Sequence, residues 1–563
     1  MKPLCHFLVI FLALSLIFSS FGEHSARAAL PQENLVIRLF LPDQADLPTL
    51  AAELDIWEVH PKAGYLIAAV TESQLAALQS QGYTWAPEPE MTLALQQPRQ
   101  PLPGQQAGIP GYPCYHTVEE TLARAAALAA AYPDLAAWTD IGDSWEKTAS
   151  GENAGYDLMV LTLTSSRIHG DKPVLLISSA LHAREYATAE LALRFAEHLA
   201  ANYGQDPDIT WILDHQEVHF LLQANPDGRK QAEAGLLWRK NTNENYCGPT
   251  STSRGADLNR NFAFQWGTAG DSGNPCSSAY RGPSAASEPE TQALQAYLTA
   301  HFPDRRGPGL DDPAPEDSTG LYLDIHSYGE MVLWPWGFTA ATTAPNHDAL
   351  QTLGRKLAWF NGYEPQQAAF LYPASGATDD YAYGTLGLAA YTIEIGTSFF
   401  QDCSSFTTTI LPDNLNALLY AARAARAPYL LPAGPDILNP TLSLTSAPLG
   451  ASVTLQAAAD DTRYSPWNGL EPSQPLAAAQ FSLDLPFWDP AAAPQPMQAG
   501  DGSFDETAED LLAVIDTRGL SPGRHLIFLH AQDAAGNWGP VRSLFLDLFV
   551  PRNLFLPCII QYN

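Results

Sequence analysis

"KPVLLISSALHAREYATAELALRFAEHLAANY", residues 172–203, reads as an apolar strand that passes at once into a helix running from about Tyr186 to Tyr203. A buried strand normally ends in Gly, Asn or Pro and turns away. This one ends in His182, Arg184 and Glu185, two good metal ligands with an arginine between them. An isolated H-x-x-E is more often an ordinary turn with solvated charges. A third ligand and a base must therefore come from elsewhere in the chain if the turn is to mean more.

Strand and helix patterns alternate outward from this unit. "YDLMVLTLT", "EVHFLLQAN", "LYLDIH" and "AAYTIEIG" are strand-like, and "HDALQTLGRKLAWF" and "DNLNALLYAARAARAPYL" are helical. Thr117 and Glu120 form a capping box that opens the region. Such interleaving predicts one large α/β domain over residues 111–430, with a mixed central sheet flanked by helices. Residues 29–95 read as a small β-α-β-α unit, and Pro- and Gln-rich residues 96–110 as a linker. Residues 431–440 read as a second linker. Residues 441–550 then alternate apolar and polar between Pro-, Gly- and Asp-rich turns, which predicts an all-β, immunoglobulin-like or fibronectin-like sandwich, followed by an extension over 551–563.

Residues 1–28 carry Lys2, an unbroken apolar run from Phe7 to Phe18 and the small-x-small site Ala26-Arg27-Ala28, the pattern of a secretory signal peptide. A secreted protein with no transmembrane anchor is expected. Without Cys5, five cysteines remain, which in an oxidising compartment suggests two disulfides and one odd thiol. The formal charge of −32 argues against nucleic acid as a partner and draws cationic substrates in.

A catalytic zinc site needs three protein ligands and one open position. His326 closes "LYLDIH", where Tyr322, Asp324 and His326 alternate onto one face, and His182 also follows a strand end. The carboxyl ends of strands in α/β sheets are where ligands bind. Glu394 sits inside the apolar strand "YTIEIG", where a lone carboxylate is costly unless paired or functional. Beside a metal it can take a proton from water and pass it to a leaving amine. Asn259 and Arg260 in "GADLNRNF" suit capture of a carboxylate, and Arg239 in "LLWRKN" suits an oxyanion.

In their order, "HAREYATAE", "LLQANPDG", "LWRK", "DLNRNF", "RGPSAASEPET", "DIHSYGEMVLWPWG", "LYPASGATDDYAYG" and "YTIEIGT" resemble the zinc metallocarboxypeptidases of the A, B and T group over residues 110–430. The resemblance implies zinc held by His182, Glu185 and His326, with Asp257 hydrogen-bonded to the first histidine. It makes Glu394 the general base and acid and Arg239 the oxyanion stabiliser. Asn259, Arg260 and Tyr372 match the grip on the substrate's terminal carboxylate, and Arg184 and Tyr328 match secondary subsites. Asp379 falls at the floor of the pocket for the C-terminal side chain, where an acid favours Lys or Arg. Tyr381 stands where a Trp is usual. Cys247 and Cys276 flank "DLNRNF" as a family disulfide does, and Cys114 with Cys403 is the expectation for the second, leaving Cys558 single.

These readings together describe a secreted, monomeric zinc enzyme that removes C-terminal residues from peptides and proteins with a free C-terminus. It is expected to accept Lys or Arg and also apolar residues. The N-terminal unit matches the family's pro-segments in position and size, so it is expected to cover the cleft until cleavage near Arg99. A peptidase for cell-wall peptides and a catalytically dead binding protein are the rival readings. For the sandwich, binding to a polysaccharide, cell surface or protein and a plain spacer role all stay open. Calcium is a second cofactor expectation, in "GLDDPAPEDSTG", where a solvated acidic loop competes with it.

Overall fold

The computed structural model describes residues 34–96, 99–150 and 155–551. The expected signal peptide, Cys558 and all but the first residue of the extension 551–563 lie outside the described residues. Among those described, no helix is long and apolar enough to cross a membrane.

An eight-stranded mixed sheet forms the centre. Its strands run in the order Glu364–Gln367, Met331–Trp334, Ala389–Glu394, Leu321–His326, Val174–Ser179, Glu217–Leu221, Asp157–Leu163 and Ala136–Asp143. The four from Ala389–Glu394 to Glu217–Leu221 are mutually parallel. Antiparallel pairing begins outside them on both sides. Leu321–His326 and Val174–Ser179 are buried at every position, as strands covered on both faces must be. Tyr186–Asn202, the helix expected from sequence, packs against this sheet and shares one apolar core with it. Register matters for function: Glu394 lies level with His326, and Asp324 is flanked by Ser178 and Thr392.

The N-terminal unit is richer than β-α-β-α. Its antiparallel sheet has the order Asp55–His60, Tyr65–Val70, Leu35–Phe40, Trp85–Pro87, so Asp55–His60 and Trp85–Pro87 are strands the sequence pattern did not give. Asp55–His60 has no buried face in the usual alternation, since all six residues are half-buried and its register shifts between Ile56 and Glu58. Thr71 caps the helix Glu72–Ser80 in a full capping box, as Thr117 caps Val118–Ala131.

The C-terminal unit is a β-sandwich of a four-stranded and a five-stranded sheet around its own apolar core. Of the expected linkers, the second is regular and the described part of the first, though irregular, is packed. In the second, Leu431–Ala433 make a tight turn, and Asp436–Leu442 is a strand of the sandwich. In the first, Ile109 is fully buried and Glu120 accepts the Gly108 amide. Arg99 donates to the Tyr112 hydroxyl at 2.7 Å and lies 3.4 Å from the Phe400 ring centre. Disulfides join Cys114 to Cys403 and Cys247 to Cys276.

Candidate active site

The turn after Val174–Ser179 is fixed from several directions. Ala180 adopts a left-handed backbone with φ 56°, and its amide donates to Thr188 Oγ1. The fully buried Arg229 donates to the carbonyls of Glu185 and Tyr186, so the H-x-x-E turn hangs on a guanidinium beneath it. His182 and Glu185 thereby meet His326, which projects from the end of the neighbouring strand. One ligand atom from each of the three lies within 4.8 Å of the others, and all three residues are buried.

The ring nitrogens sort themselves. His182 Nε2 is 3.2 Å from Asp257 Oδ1 and His326 Nε2 is 2.8 Å from Asp324 Oδ2. A carboxylate on the outer nitrogen assigns the proton there and turns the Nδ1 lone pair inward. The two Nδ1 atoms stand 3.0 Å apart, with Glu185 Oε1 2.8 Å from one and Oε2 3.2 Å from the other. Two lone pairs and a carboxylate aimed at one point repel each other unless a cation lies between them. Burial opposes charging His326, yet Asp324 and Glu185 overcome it and raise its pKa well above the ordinary value. The same histidines overcome burial at Glu185 and lower its pKa. This donor set, two imidazoles and a carboxylate with a free side, fits zinc.

Asp324 has no assigned role in the sequence reading. Its signal is there: it stands two residues before His326, on the same face of the strand. Ser178 Oγ and Thr378 Oγ1 both donate to it at 2.7 Å, which fixes the carboxylate that fixes the imidazole. Asp257 does the corresponding work for His182. It also accepts Arg239 Nε and Nη2 at 3.0 and 2.9 Å. Burial would raise its pKa, but Arg239 and His182 pull it well below the usual carboxylate range.

Glu394 faces this cluster from the adjacent strand. Burial, reinforced by the charge of Glu185, pushes its pKa up to about 8, against the pull of His326 and Arg239. A bound dication would bring it down. Among the described residues nothing donates a hydrogen bond to its carboxylate, so both oxygens are open to water or substrate.

Arg260 and Asn259 are nearly buried beyond the cluster. Arg260 donates to the carbonyls of Asn259 and Gly270, Asn259 Oδ1 accepts the Thr378 amide, and the Tyr372 ring centre lies 6.0 Å from the Arg260 guanidinium. Asp379 is buried in the first turn of the helix Thr378–Leu386, with Oδ1 accepting the Asp380 amide. Burial first, then Asp324 among its neighbours, raises its pKa to about 6.

Arg184 and Tyr328 are already engaged by the N-terminal unit. Arg184 holds both oxygens of Asp55, at 2.6 and 2.8 Å, and Tyr328 donates to Glu58 Oε1 at 2.8 Å. Phe399 packs between them, with Trp57 edge-on at 5.4 Å. A cavity of about 800 Å³ remains between the two units, lined by Arg184 and Arg239 on one side and Asp55 on the other.

The acidic loop read as a calcium expectation does not gather around a point. Asp312 accepts the Gly309 amide and Asp317 pairs with Arg305. Among the described residues His182, Glu185 and His326 form the one side-chain cluster of metal-ligand geometry, and nothing supports the calcium expectation.

The zinc carboxypeptidase family model matches residues 121–414. A zinc carboxypeptidase of Saccharothrix mutabilis subsp. capreolus is 31% identical over 52% of this chain and 65% of its own length. Carboxypeptidase A1 of Rattus norvegicus is 29% identical over 50% of this chain and 63% of its own. The chain thus spans just under two thirds of the length of these curated relatives. Among solved structures, carboxypeptidase A from Helicoverpa armigera aligns with a TM-score of 0.55 and 24% identity, over 71% of this chain and 98% of that one. Thrombin activatable fibrinolysis inhibitor aligns with 0.53 and 21%, over 70% and 99%. At these identities the structures speak for the fold, and the matched family model, which covers over half of the sequence, carries the conclusion that this chain belongs to the zinc carboxypeptidase family.

Proposed function

We propose that this protein is a secreted zinc-dependent carboxypeptidase, kept inactive in the uncut chain by its N-terminal unit. The observation that carries the proposal is the inward pair of Nδ1 atoms sharing Glu185, with an unengaged Glu394 facing them. Bound there, zinc supplies Lewis acidity toward the scissile carbonyl and acidifies a water. Glu394 accepts that water's proton and returns it to the leaving amine, which needs a carboxylate with free oxygens. Arg239, oriented by Asp257, donates to the oxyanion as it forms. Arg260 and Asn259, with Tyr372, hold the terminal carboxylate, restricting cleavage to the last peptide bond.

Asp379 gives the site a preference for C-terminal Lys or Arg, with apolar residues accepted less well. Export is supported by the two disulfides, which persist in oxidising compartments. Autoinhibition is supported by Asp55 and Glu58, which occupy Arg184 and Tyr328 where a peptide would lie. Cutting at Arg99 requires its side chain to leave Tyr112 and Phe400 first.

The test is metal analysis of the purified protein together with hydrolysis of matched peptides ending in Arg, Lys, Phe and Leu, before and after limited proteolysis. One zinc per chain and activity that appears on release of the N-terminal unit are expected. No zinc, or cleavage only at internal bonds, refutes the proposal, and negligible turnover of the Arg and Lys peptides refutes the role of Asp379.

A further inference from the structure

The sandwich meets the α/β unit through cations. Lys356 is fully buried in the helix His347–Asn361, 3.3 Å from Asp436 Oδ2 and 4.0 Å from the Tyr464 ring centre. Beside it lies a cavity of about 160 Å³, lined among others by Arg423 from the helix Leu411–Ala424 and by Arg463 and Arg542 from the sandwich. At about 30 Å³ per water, that is room for a four-oxygen anion and part of its hydration.

None of these three guanidiniums donates a hydrogen bond to any described residue. Arg423 Nη1 is 4.0 Å from Asp208 Oδ2, and Arg463 Nη1 is 3.6 Å from Asp436 Oδ2. Arg542 Nε comes within 2.5 Å of Asp208 Oδ2 but off its N–H axis, so it counts as an ion pair without a hydrogen bond. Arg423 is nine-tenths buried and its Nε has no partner. Arg229 and Arg306 differ in that their terminal nitrogens each donate to several carbonyls, although their Nε atoms likewise lack a partner. One buried guanidinium and two half-buried ones, converging on a cavity with no acceptor hydrogen-bonded to them among the described residues, leave a place for one.

The charge count agrees. Lys356, Arg423, Arg463 and Arg542 face Asp208, Asp436 and, beside Lys356, Asp461, an excess of one positive charge in a chain whose formal charge is −32. Asp208 is also occupied, accepting the amide and hydroxyl of Ser543. Burial and then the Arg542 charge lower the Arg423 pKa, against the pull of Asp208 and Asp436.

We propose that this cavity binds a small dianionic oxyanion, of the sulfate or phosphate class, bridging Arg423 of the α/β unit to Arg463 and Arg542 of the sandwich. The anion completes the seam, tying the sandwich to the helix that carries Arg423.

Thermal unfolding of the full chain in chloride, sulfate and phosphate at equal ionic strength tests this. A saturable rise in melting temperature with sulfate and phosphate is expected, and its loss in Arg463→Gln. A non-saturating rise shared by both proteins, the general effect of excluded salts, overturns the proposal. So does a saturable rise that survives in Arg463→Gln, which would assign the anion to the arginines of the cleft. Diffraction from wild-type crystals grown in selenate keeps the test open if the variant fails to fold. An anomalous peak between the three guanidiniums is expected, and its absence there refutes the site.

Discussion

Two imidazole lone pairs 3.0 Å apart are held there by carboxylates on the far side of each ring. Removing one such carboxylate frees its ring to flip or change tautomer. Asp324→Asn is therefore expected to weaken zinc binding by about 10–100-fold, read by competition with a chelator; unchanged affinity would reduce Asp324 to a packing residue. Glu394→Gln keeps shape and loses basicity. It should lower kcat by about 10²–10⁴-fold with KM little changed, measured on protein freed of its N-terminal unit. Outside the metal cluster, Glu290 accepts from the Trp145 amide and from Asn241, and burial, then the charge of Glu288, raises its pKa to about 8. An acid whose folded pKa exceeds its unfolded value stabilises the fold fully below the unfolded pKa, near 4.5, and loses that contribution as pH rises through about 8. Urea unfolding from pH 5 to 8.5 should show this loss, up to about 1.4 kcal/mol per pH unit. In Glu290→Gln the slope should flatten; an equal slope would place the titrating group elsewhere.

At the scale of the element, the edge strand Asp55–His60 explains how a small N-terminal sheet closes a cleft. Its shifted register lets Asp55, Trp57 and Glu58 all reach the α/β unit, which a regular strand with alternating sides would not allow. Breaking a buried ion pair from one side costs about 3–5 kcal/mol, because the remaining charge is stranded. Asp55→Ala is therefore expected to raise peptide hydrolysis by the uncut chain, while cut wild type and cut variant stay equal. Uncut variant and uncut wild type with the same activity would show that Asp55–Arg184 does not hold the cleft shut.

At the scale of the molecule, the sandwich is a wall of the α/β unit. Phe528 and Val541 belong to the α/β core, and Trp488 packs on Trp211 and His215 with Arg426 over its ring. Phe528→Ala should destabilise the whole protein by about 3–5 kcal/mol, seen as one shifted unfolding transition for both units. A chain ended at residue 434 exposes that apolar seam and the buried Lys356 and should be insoluble or molten. A soluble truncation with native melting would mean the two units fold independently.

The α/β class was legible because strands buried on both faces are continuous apolar runs, and helices repeat at their own period. "HAREYATAE", "LYLDIH" and "YTIEIG" carried the candidate zinc ligands and base, since each sits at or just past a strand end, where local sequence fixes position along the strand. Asp324 beside His326 was legible from the strand alternation, while the grip of Asp55 on Arg184 and the convergence of Arg423, Arg463 and Arg542 were decided only by tertiary structure. Those contacts join residues far apart in the chain, and they depend on sheet order, register and the docking of separate units. No local pattern of charge or hydrophobicity encodes which distant side chain will stand opposite.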